Sequence, residues 1–168
     1  MASHFEQDGL FSRERAISSS ADGRARGGVD QRSSATPNAR IVVGDNIVTL
    51  AEGLVSGTSP SDFRNVSDED LFDYLAHTSS LVPAERDSFF LSGSLVGLDS
   101  LESTFEFGYV KNTTHITFAP APIFTAFEEI PISISATNQF NPFAEDIVDA
   151  RIRLMGLGPR VQTNQSET

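Results

Sequence analysis

The chain has 168 residues, thirteen Phe, two Tyr, no Trp and no Cys, with a formal net charge of -11. That length holds one ordinary domain around a single core, and the missing thiols exclude a disulfide framework, a thiolate nucleophile and thiolate metal ligation. Residues 1–40 carry six Arg against five acids and residues 41–168 six cations against eighteen acids, so the body repels phosphate backbones and anionic lipid and no direct nucleic-acid binding is expected.

Residues 1–39 are built from Ser, Ala, Gly, Arg and Asp, punctuated by Ser18-Ser19-Ser20, Asp22-Gly23, Gly27-Gly28 and Thr36-Pro37. No helical or strand period survives there, and so little apolar surface does not offset the entropy of ordering, so the segment reads as a flexible or extended N-terminal arm. Phe5, Leu10 and Phe11 are its apolar exceptions. Side chains of that kind suit an arm docked in a groove of a neighbouring subunit.

Ile41-Val42-Val43 and Ile47-Val48-Thr49-Leu50 are β-branched runs separated by Gly44-Asp45-Asn46, a composition that predicts a short hairpin. Ile41, Val42 and Val43 are also candidates to add a strand to a neighbour. Residues 53–62 read as a loop. Ser67, with Asp70 three residues on and Val66 placed to staple Leu71, carries the signature of a capped helix running on through Phe72 and Leu75 and limited by Pro83.

From residue 88 to 98 the alternation of Leu91, Gly93 and Leu95 predicts a strand, and Phe105, Phe107 and Tyr109 at spacing two predict three aromatics on one face of another. Phe carries no polar atom to satisfy when buried, so these rings are expected in the core. Lys111-Asn112-Thr113-Thr114 reads as a turn before a short strand at 116–118. Ala119-Pro120-Ala121-Pro122 breaks the pairing because proline lacks an amide proton. Further strands are predicted at 123–127 and 130–135, then a helical turn near 142–146 leading into a strand at about 147–155. Residues 158–168 are polar and read as a frayed tail.

Chemistry-bearing patterns are sparse. His4, His77 and His115 are dispersed, Lys111 comes after no glycine-rich loop, and Gly93-Ser94-Leu95 lacks the second glycine of a nucleophile elbow. The acid pairs Glu128-Glu129, Glu102 with Glu106, and Glu145 with Asp146 and Asp149 read as solvated faces of an acidic protein. No catalytic residue, metal or cofactor is expected. No run approaches the ~18 apolar residues of a membrane span, and the first thirty residues lack a secretory pattern, so a soluble protein without a cleaved leader is expected.

The pattern as a whole predicts a mainly β protein: an antiparallel β-sandwich, with the jelly roll as one form, one short α-helix and the N-terminal arm. It divides the chain into three regions, an arm at 1–39, a single β-rich domain at 40–157 and a polar tail at 158–168. The function this predicts is a non-enzymatic assembly subunit, a virion component such as a capsid, minor capsid or decoration protein, with Phe5, Leu10, Phe11 and Ile41 to Val43 as its protein contacts. The alternative is a soluble module binding carbohydrate or peptide, against which the absence of Trp counts.

Overall fold

A computed structural model describes residues 1–97 and 102–168. It is mainly β, with 47% of residues in strands and no helix of seven or more residues among those described. Eleven strands run in the order β1 (Ala2–Gln7), β2 (Leu10–Phe11), β3 (Arg40–Val43), β4 (Asn46–Leu50), β5 (Phe63–Asn65), β6 (Ser79–Leu81), β7 (Ala84–Val96), β8 (Glu102–Phe118), β9 (Pro122–Phe124), β10 (Ile147–Arg153) and β11 (Arg160–Glu167). They form a four-stranded sheet in the order β1-β7-β8-β11, a five-stranded sheet in the order β5-β4-β3-β10-β9, and the small pair β2-β6. All three are antiparallel.

The hairpin at 40–50 forms as its β-branched runs predict. Gly44 opens its two-residue turn at φ 53, a left-handed conformation that a side chain disfavours. Val43, Val48, Leu50 and Ile147 are buried along the β4-β3-β10 centre of the five-stranded sheet. The strand expected at 147–155 is β10, kinked where the register shifts between Ile147 and Asp149, which leaves Val148 exposed.

Residues 33–36 are stitched into this body. Ser33 and Phe72 exchange backbone hydrogen bonds at 2.8 and 2.9 Å, and the Arg153 amide donates to the Thr36 carbonyl at 2.9 Å. The Arg153 side chain is buried among them: its guanidinium donates to the Pro120 carbonyl and the Ser33 hydroxyl, each at 2.8 Å, and lies 4.8 Å from the Phe72 ring centroid. Ala35 is fully enclosed beside it. Burial, reinforced by the like charge of Arg160, pushes the guanidinium below its ordinary pKa.

Several sequence expectations change here. The capped α-helix from Ser67 is replaced by two short 3-10 turns, Asp68–Asp70 and Tyr74–His77. The cap itself forms, since the Ser67 amide donates to the Asp70 carboxylate at 2.8 Å. Leu71 then turns extended, at φ -64 and ψ 133, and Phe72 pairs with Ser33. A backbone committed to a bridge with a distant segment does not continue a helix, so the tertiary pairing overrides the local signal.

Lys111 to Thr114 is no turn; it lies inside β8, paired with 84–87 of β7 on one side and with 164–167 of β11 on the other. Thr113 and Thr114 are β-branched, and neighbours on both sides fix the extended form. The tail at 158–168 is correspondingly an eight-residue edge strand. Of the strand expected at 130–135 only an isolated bridge between Ile134 and Ile147 is present. Leu98, at the end of the expected strand at 88–98, lies outside the described residues.

The N-terminal segment is extended, as its composition allows, yet it is laid on its own chain. β1 lines the edge of β7, β2 pairs with β6, and Ser12, Ala21, Ala35 and Thr36 are buried. The flexible form of the arm is thereby replaced by a docked one.

Both the Arg153 tie and the docked segment can be tested. Arg153→Met strands the carbonyls and hydroxyl that Arg153 satisfies, so denaturant titration should show a stability loss of about 3 kcal/mol; a loss below the ~0.5 kcal/mol of an ordinary surface change would overturn the role given to this side chain. Removing residues 1–39 should abolish the cooperative unfolding transition, whereas removing 1–9 should preserve it.

Candidate assembly surface

β7 and β8 form the longest element of the fold, and the two pair continuously from Ala84↔Thr114 to Val96↔Glu102. Only their proximal part has neighbours. β1 reaches no further along β7 than Phe89, where the N-terminal amine adds a bond to the Phe90 carbonyl, and β11 reaches along β8 to Lys111, with Thr168 bonding Val110. Beyond that, residues 90–96 and 102–108 are a two-stranded ribbon roughly 23 Å long at the usual strand rise.

Because side chains alternate across a strand, the register sorts the ribbon into two faces. Phe89, Leu91, Gly93 and Leu95 lie opposite Tyr109, Phe107, Phe105 and Ser103 on one of them. The Phe89 and Phe107 rings meet at 6.1 Å, and the Phe105 ring lies across Gly93, where a Cβ would collide with it. Six large apolar side chains are thus contiguous on this face and all are exposed, Phe107 at 56% and Leu95 at 67%. The other face carries Ser92, Ser94, Thr104, Glu102 and Glu106 around Phe90 and Val96.

The aromatic alternation of β8 is present as read from the sequence, but its expected place in the core is not. Phe72 is the single buried phenylalanine among the described residues, and even it keeps 9% of its surface exposed. A second exposed apolar stretch holds Phe127, Ile130, Ile132, Ile134 and Phe140. Its sequence signal was the alternation of Ile132 and Ile134 with Ser133 and Ser135 that predicts a strand at 130–135.

The sequence-picked contacts fall in three places. Phe5 is exposed on β1, opposite Arg86 of β7. Leu10 and Phe11 are half-buried against β6 of the same chain, with the Arg13 guanidinium 4.5 Å from the Phe11 ring. Ile41, Val42 and Val43 lie in β3, whose two edges are taken by β4 and β10. Strand addition at β3 is therefore closed, because its amides and carbonyls are already paired.

An open hollow of about 490 Å³ lies between β1, β7 and β8 on the ribbon's polar side, lined by Phe5, Arg86, Ser88, Asn112 and Thr114 among others. Phe5 is the one aromatic it offers for stacking a sugar. Among the described residues no group of three His, Asp or Glu is placed to hold a metal ion. No described helix is long and apolar enough to cross a membrane. No family model, curated protein or solved structure matches the chain.

Where β1 meets β7, His4 Nδ1 lies 2.7 Å from Asp87 Oδ1. The hydrogen bond to Asp87 raises the imidazole above its ordinary 6.5. A raised folded-state value means that the contact stabilises β1 fully below about 6.5 and is lost as pH rises through the elevated value. In an NMR titration His4 should therefore titrate above 6.5, and Asp87→Asn should bring it back down; an unchanged midpoint in the variant would remove Asp87 as the cause.

Proposed function

We propose that this chain is a non-enzymatic structural subunit, built to be covered by other protein subunits. The observation that supports this reading is a surplus of surface. The chain exposes 11392 Å², whereas a compact folded monomer of 18.2 kDa exposes about 8,100 Å². The difference, roughly 3,300 Å², exceeds the ~800 Å² that each partner gives to a standard-size interface several times over.

The surplus is apolar where it is concentrated. Eight apolar residues are buried among those described, and twenty-five large apolar ones are exposed. That ratio inverts the usual partition of a self-sufficient domain. The two exposed apolar regions, the ribbon and the 127–140 stretch, give one subunit two different contacts, which is what a ring or shell requires.

In this reading the two larger antiparallel sheets pack as a β-sandwich that serves as a rigid wall, with the N-terminal segment as its built-in edge cover. A protein shell, such as that of a virion, is the kind of assembly such a wall fits, by analogy of architecture. Proteins make the contacts, because the acidic body disfavours polyanions.

Light scattering on the size-excluded full-length protein should give a mass of at least two chains at micromolar concentration. A monomer across that range, with no exposed-surface dye binding, would sink the reading.

A further inference from the structure

An assembly subunit with two exposed apolar regions has more than one way to meet its neighbours. Resting on the assembly reading, we propose that the apolar face of the β7–β8 ribbon is a homotypic interface, packing face to face against the same face of the ribbon in a second copy of this chain.

Three features of the ribbon lead there. It has neither a third strand nor a covering layer among the described residues, and a two-stranded hairpin alone in water is marginal. With each aromatic side chain offering ~200 Å² and the six apolar groups about half exposed, the face presents about 500 Å², near the upper end of the ~300–600 Å² of an ordinary monomer's largest patch, which is often functional. Two such faces together bury about 1,000 Å², the threshold of a specific interface.

Charge selects the occupant. The chain carries -11, so two copies repel over most of their surfaces. Phe89, Leu91, Gly93 and Leu95 with Ser103, Phe105, Phe107 and Tyr109 hold no group charged at neutral pH, while Glu102 and Glu106 project from the opposite face. Two ribbons meeting through this side bury no like charges and leave their acids in water. A basic partner, in contrast, finds its counter-charges on the other face.

Shape agrees with the charge pattern. The Phe105 ring fills the gap above Gly93, so no deep notch is left between Leu91 and Leu95. Sheet faces that pack against each other stack at a spacing of ~10 Å.

The test compares the native masses of the full-length protein, a Leu91→Asp/Phe107→Asp variant, and a Ser92→Asp/Ser94→Asp variant that places the same charge on the opposite face. The proposal expects the wild type and the Ser92/Ser94 variant to share one multimeric mass and the Leu91/Phe107 variant to drop to a smaller one with its circular dichroism unchanged. An undiminished mass for the Leu91/Phe107 variant overturns the homotypic ribbon while leaving the assembly reading standing. A monomeric wild type overturns the homotypic ribbon, and one that also binds no exposed-surface dye overturns the assembly reading with it.

The cysteine-free chain provides a second measurement should the charged variant not fold. Leu91→Cys and Ser92→Cys, each treated with a bismaleimide spanning about one intersheet distance, should differ. Covalent dimer is expected from Leu91→Cys and little from Ser92→Cys; equal yields, or none from Leu91→Cys within a multimer, overturn the face-to-face arrangement.

Discussion

The structure depends on a charge taken out of water. Arg153 ends β10 with its guanidinium buried, no carboxylate among the described residues paired with it, and each of its three nitrogens donating, to Ala35, Pro120 and Ser33. Burying an unpaired ion is costly unless each donor finds an acceptor, so the acceptors' positions are constrained together. Those acceptors come from the N-terminal segment and from the connection after β8. One side chain thereby ties the segment at 33–36, the Phe72 bridge and the proline break at 120 to the end of a central strand.

The well-enclosed part of the molecule gathers around that tie. Thr49 is completely buried and its hydroxyl donates to the Ala39 carbonyl at 2.7 Å, holding the chain where Ala39 passes through a left-handed φ of 57. Asp149 is buried too, with Arg151 Nε at 2.6 Å. Nearer the surface, Arg24 and Arg32 bind Asp22 and Asp30; the contact with Arg24 holds the Asp22 carboxyl well below the usual range, and that with Arg32 lowers Asp30. Polar ties of this kind fix geometry and contribute little apolar burial, so the order of the N-terminal region does not come from a conventional core.

The β7–β8 ribbon stands at the opposite extreme. Its backbone order rests on its own ladder and its apolar face is left to water, a state that folded chains avoid unless something else covers that face. The contrast between a polar-tied body and an uncovered apolar ribbon gives the chain its surplus of surface. Among the described residues the shifted ionisable groups belong to ion pairs, to the buried Arg153 or to the half-buried Arg40.

Features set within a few residues were legible in the chain before any fold was known. β-branched runs around Gly44, the period-two aromatics of β8 and the break after Phe118 at Pro120 follow from side-chain shape and proline chemistry, while the strand read at about 147–155 competed with a helical pattern until β10 paired with β3 and β9. The acidic balance of the body was legible too, since it is a count. Everything that needed a distant partner waited for the fold. The Ser67 cap promised a helix that a bridge to Ser33 forbids; Lys111 to Thr114 and the polar end at 160–167 became strands only because each gained a partner; and Ile41 to Val43 lost their availability by lying between two others. Above all, alternation tells which residues share a face but not whether anything lies against it. The same Phe105-Phe107-Tyr109 pattern describes a core strand or an open one, and only the arrangement of the whole chain shows that no other described part of it covers this face.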